Sequence, residues 1–490
     1  MVQRHETNSP PTTCDESLRP TSHREKLLLG PSSGRNPCAV VSKGALIAAG
    51  LWAALVCVTA AQNWPQFRGP RGDGVSAEPK HPETWSVDEH LAWKTKIPGV
   101  GWSQPIVWGD KVFVTTAVAE NQKRPKPGDW SPGEGAGILT ALFGSYKKPP
   151  AIDYRWQVLC LDKAGGKVLW EQTAFSGKPR IPIHINNTYA TETPATDGER
   201  LIAYFGMIGV YGYDLEGKLL WSKDLGSYSM QLDWGSGSSP VIAGELVIVQ
   251  CDNDKNSFLV ALNKQSGDEV WRVPRDERSN WATPLVWKNE KRTELVTGGG
   301  TKMRSYEPTT GKLLWEMAAS GRCSSSPVTT EKLLYVDSGD RLTGQRGIVA
   351  AIKPGASGDI SLTGGSTTND FVTWSVDLPG HIVASPVVAN DCLYLCDQKV
   401  GIIRCLSALT GKEHYRQRLP GAAGLTASPW TSDGKVFFLD QSGQTFVLAA
   451  EPTYKLLATN KLADEMFWAS PAIAADSLFL RSVDHLYCIR

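Results

Sequence analysis

From Pro105 to Arg490, short runs of Val, Ile, Leu and Phe alternate with stretches of Gly, Asp, Asn and Ser. Brief apolar runs bounded by turn formers predict β-strands, not helices. The clearest unit is SSPVIAGELVIVQCDNDKNSFLVALNKQSGDEVWRV, residues 238–273. It predicts four strands, PVIA, LVIVQC, FLVAL and VWRV, lettered A to D. A Gly turn joins A to B, CDNDKNS joins B to C, and NKQSGDE joins C to D. Pro is tolerated at the start of strand A because no ladder hydrogen bond is needed from its nitrogen there. The residue before it is as a rule Ser or Thr, small enough for the crowded inner end of such a unit.

The unit recurs at Pro105, Pro194, Pro240, Pro284, Pro327, Pro386, Pro429 and Pro471. From Pro194 onward the prolines lie 42 to 59 residues apart, whereas 89 residues separate Pro105 from Pro194. A period in the forties with four strands per unit predicts an all-β, eight-bladed β-propeller. Strand D carries Trp170, Trp221, Trp271, Trp315 and Trp374, several of them after turns such as AGGK, LEGK and TTGK. Tyr415 takes that place in blade six, and blade seven degenerates to YKLLATN. So regular a recurrence assigns these rings to packing between blades.

The last unit, residues 468–490, contains three strands. Upstream of the first unit, HLAWKTKIPGVG (90–101) places Trp93 like the Trp of LLWEM. The expectation is that this N-terminal strand completes the last blade, closing the ring and removing its exposed edges. One propeller domain over residues 62–490 follows.

Composition changes the picture mainly at the N-terminus. The 490 residues are 41% hydrophobic and 21% charged with a net charge of +1, which offers no electrostatic footprint for nucleic acid. Residues 1–42 are polar and unpatterned, read as a disordered extension or a start codon placed too far upstream. KGALIAAGLWAALVCVTAAQ (43–62) has the basic residue, apolar run and small residues of a secretory signal peptide, residues 43–61, cleaved near Ala60 or Ala61. A secreted or periplasmic protein with no stable membrane span after cleavage is expected. Beyond that segment lie seven cysteines, an odd number. Cys392, Cys396 and Cys405 share one predicted hairpin and are candidates for one disulfide. No zinc spacing or haem attachment motif is present.

The pattern A-L-x-x-x-[ST]-G-x-x-x-W, as in ALNKQSGDEVW (261–271), resembles pyrroloquinoline-quinone (PQQ) type propeller repeats. Such repeats occur in quinoprotein alcohol dehydrogenases and in BamB-type outer-membrane assembly proteins. NWPQFRGPRGDGVS (63–76) and NTYATETPATDGERLIAYFG (187–206) resemble secreted bacterial PQQ-like repeat proteins. The dehydrogenase branch of the resemblance implies bound PQQ and calcium, a vicinal Cys-Cys disulfide and an Asp base. This chain has no adjacent cysteines, and no stretch supports carrying a catalytic residue over.

In a four-stranded blade the A–B and C–D turns share one face, and the B–C hairpins and D–A connections share the other. The second face is the richer. Blade one places AVAENQKRPKPGDWSPGEGAGILTALFGSYKKPPAIDY (117–154) there, and long loops on rigid scaffolds are often functional. His184, Asn186, Asn187 and Tyr189 enter blade two; Asp252, Asn253 and Asp254 tip the blade-three hairpin; Arg278, Asn280 and Trp281 enter blade four. Asp337, Asp340 and Arg341 follow strand B of blade five. These are the ligand-face candidates, for a pocket at the channel mouth able to take a quinone, a sugar, a peptide or calcium; as bland turn formers they would only shape the backbone. RGD (71–73) is read as a chance match, and GGG (298–300) as a hairpin. The function expected is a binding or scaffolding module at the cell envelope, its partner an envelope protein, a peptide or a small molecule. The alternative is a PQQ- and calcium-dependent sugar or alcohol dehydrogenase.

Overall fold

Strands built from these runs pair in sequence order, antiparallel, into eight separate sheets. The computed structural model describes residues 63–76, 81–122, 124–126, 148–184, 186–319, 321, 324–340, 345–378, 383–398 and 401–490. The extension 1–42, the expected signal peptide 43–61, residues 127–147 of the long blade-one excursion, Cys323 and Arg341 lie outside them. Blade three follows the predicted unit: Val241–Ala243, Leu246–Cys251, Phe258–Asn263 and Glu269–Pro274. Inner strands are buried throughout and the outer strand D alternates with solvent, as a blade packed between neighbours requires.

The last blade is completed as expected. Leu91–Lys96 pairs antiparallel with His485–Ile489, and the sheet continues through Ser477–Arg481 to Ala472–Ala474. The 59-residue spacing into blade six also has a local cause. Blade five carries an insertion between its strands Gln345–Ile352 and Val372–Leu378, and Gly358–Asp359 within it pairs in parallel with strand D of blade four, Leu313–Ala318.

Two devices join blade to blade. At the inner ends, the N–H of the residue before the strand-A proline donates, in seven of the eight blades, to the side-chain oxygen of its counterpart in the next blade. The series runs Gln104, Thr193, Ser239, Thr283, Ser326, Ser385, Ser428, Ser470, at 2.9–3.0 Å. Gln104 stands where the other blades have Ser or Thr, and its amide donates to the carbonyl of Pro471, closing the circle. The small residue is therefore an acceptor for a buried N–H, not merely a space saver. At the rim, the strand-D indole of one blade donates to a carbonyl in the C–D turn of the next. Trp170 reaches Leu215, Trp221 reaches Lys264, Trp271 reaches Pro308, Trp374 reaches Ala408 and Trp93 reaches Lys163, at 2.9–3.2 Å. In each of these turns a glycine with φ of +70° to +90° lies against the indole. A Cβ there would stand 2.5–2.8 Å from the ring. The Gly-x-x-x-Trp spacing of the repeat is this contact made at five blade boundaries, glycine to the preceding Trp.

Residues 63–76 run across the channel on the side of the A–B turns. Trp64 exchanges two backbone hydrogen bonds with Val107 of blade one, at 2.9 Å each. Pro65 accepts from Thr196 of blade two, and Gly74 and Ser76 bond Thr431 of blade seven. The buried Arg68 donates to the carbonyls of Asp73 and Pro429. Within the RGD tripeptide Arg71 pairs with the buried Asp73 at 2.7 Å, so these two residues brace the segment 63–76, which acts as a plug.

The expected disulfide does not form. Cys392, Cys396 and Cys405 are buried free thiols, as are Cys160, Cys251 and Cys488. Each of the three faces another residue type across the hairpin: Ser407, Ile403 and Tyr394 respectively.

Candidate functional site

The D–A connections 97–105, 178–194 and 462–471 converge where blades eight, one and two meet. Three local features hold them there. Val100 bridges Ala117, and Trp102 and Ser103 both donate to the carbonyl of Ala190. Gly101 is packed so closely that a Cβ would lie 2.6 Å from the Arg481 guanidinium and 2.8 Å from the Thr115 carbonyl oxygen. Val483 donates to the carbonyl of Met466, tying the third connection to blade eight.

Between them is a cavity of about 190 Å3. Its aromatic wall consists of Trp102, Trp468, Tyr154, Tyr189 and His184. Trp102 and Trp468 stack on each other with centroids 5.7 Å apart and planes 20° apart. Trp102 is buried and Trp468 half-buried. His184 stacks on Trp234 at 3.9 Å, and its Nδ1 accepts the N–H of Asn186. Val100, Ile183, Met466 and Pro125 complete the apolar lining, and Gln122, Asn186, Asn187 and Thr188 supply polar groups. Asn186 is 7% exposed, its carbonyl accepts from the Trp102 indole, and its side-chain Nδ2 has no partner among the described residues. A buried donor left in this state costs about 1–3 kcal/mol unless something binds it.

The sequence candidates thus separate. His184, Asn186, Asn187 and Tyr189 line this cavity. Asn187 is also a brace, donating to the carbonyls of Trp234 and Ser236. Tyr189 accepts the Trp156 indole N–H on its backbone carbonyl, and burial holds its phenol above the usual range. Asp252, Asn253 and Asn280 line a second, much smaller cavity of about 30 Å3 between blades two, three and four. There Asp252 is closed on Arg275 and Gln250, and Asn253 shapes the hairpin by accepting the N–H groups of Lys255 and Asn256. Asp254 accepts both the N–H and the hydroxyl of Ser279. Arg278 is exposed, and the Trp281 indole donates to the carbonyl of Gly235. Neither of the last two lines either cavity.

Trp102 and Trp468 were not among the candidates, although a signal existed. Each stands three residues before its strand-A proline, as Trp281 does, in GWSQP, FWASP and NWATP. Blades eight and one are neighbours only once the ring closes, and closure is what stacks the two rings.

Calcium does not fit the two aspartates of this face. Both Asp252 oxygens are engaged by Arg275, and Asp254 is held by Ser279. Among the described residues no group of three His, Cys, Asp or Glu could hold a metal ion. Among the same residues no helix is long and apolar enough to cross a membrane.

Eight four-stranded blades with the Gly-x-x-x-Trp contact repeated between them make this chain a β-propeller of PQQ-like repeats. The family model described as outer membrane protein assembly factor BamB matches residues 129–290 and 255–353. Among solved structures, BamB from Moraxella catarrhalis is 13% identical, with 68% of this chain and 91% of that one covered and a TM-score of 0.49. The europium-containing methanol dehydrogenase is 12% identical, with 88% and 92% covered and a TM-score of 0.44. The designed protein Ika8 is 12% identical, with 71% and 95% covered and a TM-score of 0.47. At that distance nothing about their activities transfers. No curated protein matches this chain.

Proposed function

We propose that this propeller is an exported binding module of the cell envelope that holds its ligand or partner on the D–A face, at the cavity between blades eight, one and two. The observation that carries the reading is the half-open aromatic pocket with the unpartnered Asn186 amide inside it. Concave, mostly apolar sites with a few placed polar groups are the usual form of a binding site. The BamB-type family match supports a binding role, and the apolar segment 43–62 supports export.

Two measurements test this. A photo-reactive side chain at Gln122, on the cavity wall, should trap a ligand or partner from envelope extracts, whereas one at the exposed Val168 on the rim should not. Equal trapping at both positions, or at neither, would sink the site. N-terminal sequencing of the protein recovered from cells should start near residue 61 or 62; an intact residue 43–61 segment would remove the secretory reading.

A further inference from the structure

The cavity's chemistry narrows the ligand, an inference that rests on the binding reading above. Its described lining contains no Lys, Arg, Asp or Glu. An anion would need cationic or charge-assisted donors to repay its desolvation, and the described wall has none. That disfavours phosphates, sugar acids and the carboxylate-bearing quinone alike. A cation would be drawn to the rings, but the unpartnered Nδ2 of Asn186 is a donor, and a donor facing a cation is repulsive. The group that answers it is a neutral oxygen.

What remains is a neutral molecule with an apolar face and several oxygens. The flat C–H face of a pyranose lies well on an indole, and its hydroxyls both donate and accept. Gln122, Asn186 and Thr188 match that, since amides and hydroxyls also do both. Size agrees: about 190 Å3 lies well below the ~300–1,000 Å3 of drug-sized sites and suits a single ring. A peptide strand would ask for an open groove or a sheet edge, whereas three connections and the start of the blade-one B–C excursion wall this site. We propose that the cavity is a recognition site for one neutral sugar ring, either a free glycoside or a unit of a glycan, with Trp468 as the stacking platform and Asn186 as the donor to a ring or hydroxyl oxygen.

The test is a Trp-fluorescence titration of the purified full chain. The probes are methyl glycosides of glucose, galactose, mannose and N-acetylglucosamine, their oligosaccharides, and glucuronate as a charged control. The expected result is a saturable change with at least one neutral sugar and none with glucuronate. Asn186→Ala should weaken that binding at least about tenfold without lowering the melting temperature, since the amide nitrogen it removes has no partner among the described residues. Trp468→Ala should abolish binding and Trp468→Phe should retain part of it. Tighter binding of an oligosaccharide than of its methyl glycoside would identify a glycan; equal binding would identify a free glycoside. Failure of every neutral sugar to saturate overturns the proposal. PQQ with calcium and an extended peptide are titrated alongside. If one of these saturates in a Trp468-dependent way while the sugars do not, the binding reading survives and the sugar assignment falls. If none does, both fall.

Discussion

The Arg275 guanidinium closes on the Asp252 carboxylate at 2.8 and 3.1 Å, and both side chains are wholly buried. The remaining N–H groups of Arg275 go to the Thr297 hydroxyl, the Tyr306 hydroxyl and the Gly298 carbonyl, so all five are used. Burial raises the pKa of Asp252, and the adjacent arginine opposes that. A satisfied buried pair is costly to halve. Asp252→Ala should lower unfolding free energy by roughly 3–5 kcal/mol, because it strands the Arg275 charge. Replacing both residues by apolar ones of similar volume should cost much less. Urea titrations of the three variants check this; equal losses for the single and double changes would contradict it.

Asp337 gives a pH dependence of definite sign. Burial pushes its carboxyl up to about 7, with the Ser325 hydrogen bond acting in the opposite direction. Between about pH 4, where an unfolded Asp titrates, and pH 7 the folded state therefore holds more protons than the unfolded state. Its contribution is fully present below that window and is lost as pH rises through it, a change of a few kcal/mol. Asp337→Asn should flatten this slope and be the more stable form at pH 8. Denaturation midpoints from pH 4 to 8 decide it, and a wild-type slope unchanged in the variant would refute it.

The hydroxyl circle predicts a specific asymmetry. Ser428→Ala deprives the Ser385 N–H of its acceptor and should cost about 1–3 kcal/mol. Ser428→Thr should be nearly neutral, since Thr193 and Thr283 already fill the same role. Thermal unfolding of both variants separates a hydrogen-bonding role from simple packing, for which Ala would be tolerated and Thr penalised.

Ring closure rests heavily on Trp93. It is 8% exposed, bonds the Lys163 carbonyl at 3.0 Å and covers Gly166 of blade one. Trp93→Ala should cost about 3–5 kcal/mol. It should also make the protein associate at high concentration, as loosening that strand bares the edge of His485–Ile489. Light scattering of the variant against wild type measures this; a destabilised but strictly monomeric variant would count against an edge-sealing role.

Much of the fold was legible because the propeller repeats local rules. The glycine of TTGK and the indole of Trp271 meet across a blade boundary, so the sequence pattern survives in each unit where the contact does. Trp93 could be paired with the last blade for the same reason. The site was legible only in part. His184, Asn186, Asn187 and Tyr189 sit close in sequence, and their cavity could be anticipated on that face. Trp102 and Trp468 come from opposite ends of the domain, and no local rule brings them together. Asp252 illustrates the opposite failure: a carboxylate in a hairpin suggests a ligand, yet Arg275, outside that hairpin, neutralises it. The cysteines are the small buried residues that strand-like surroundings suggest, and Cys392 and Cys405, although not opposed in register, do meet side chain to side chain as free thiols.

The plug and the closing strand also impose an order of events. Trp64 through Lys96 emerge from the ribosome long before several of their partners, Thr431 and the strand ending at Ile489 among them. The first-made part of the domain must wait, unpaired, for nearly the whole chain to arrive. Such long-range closure is slow and leaves strand edges open meanwhile. A nascent chain of this design is most vulnerable just before the closing strand arrives, and a holding chaperone would act to greatest effect on the stretch from Trp64 to Lys96.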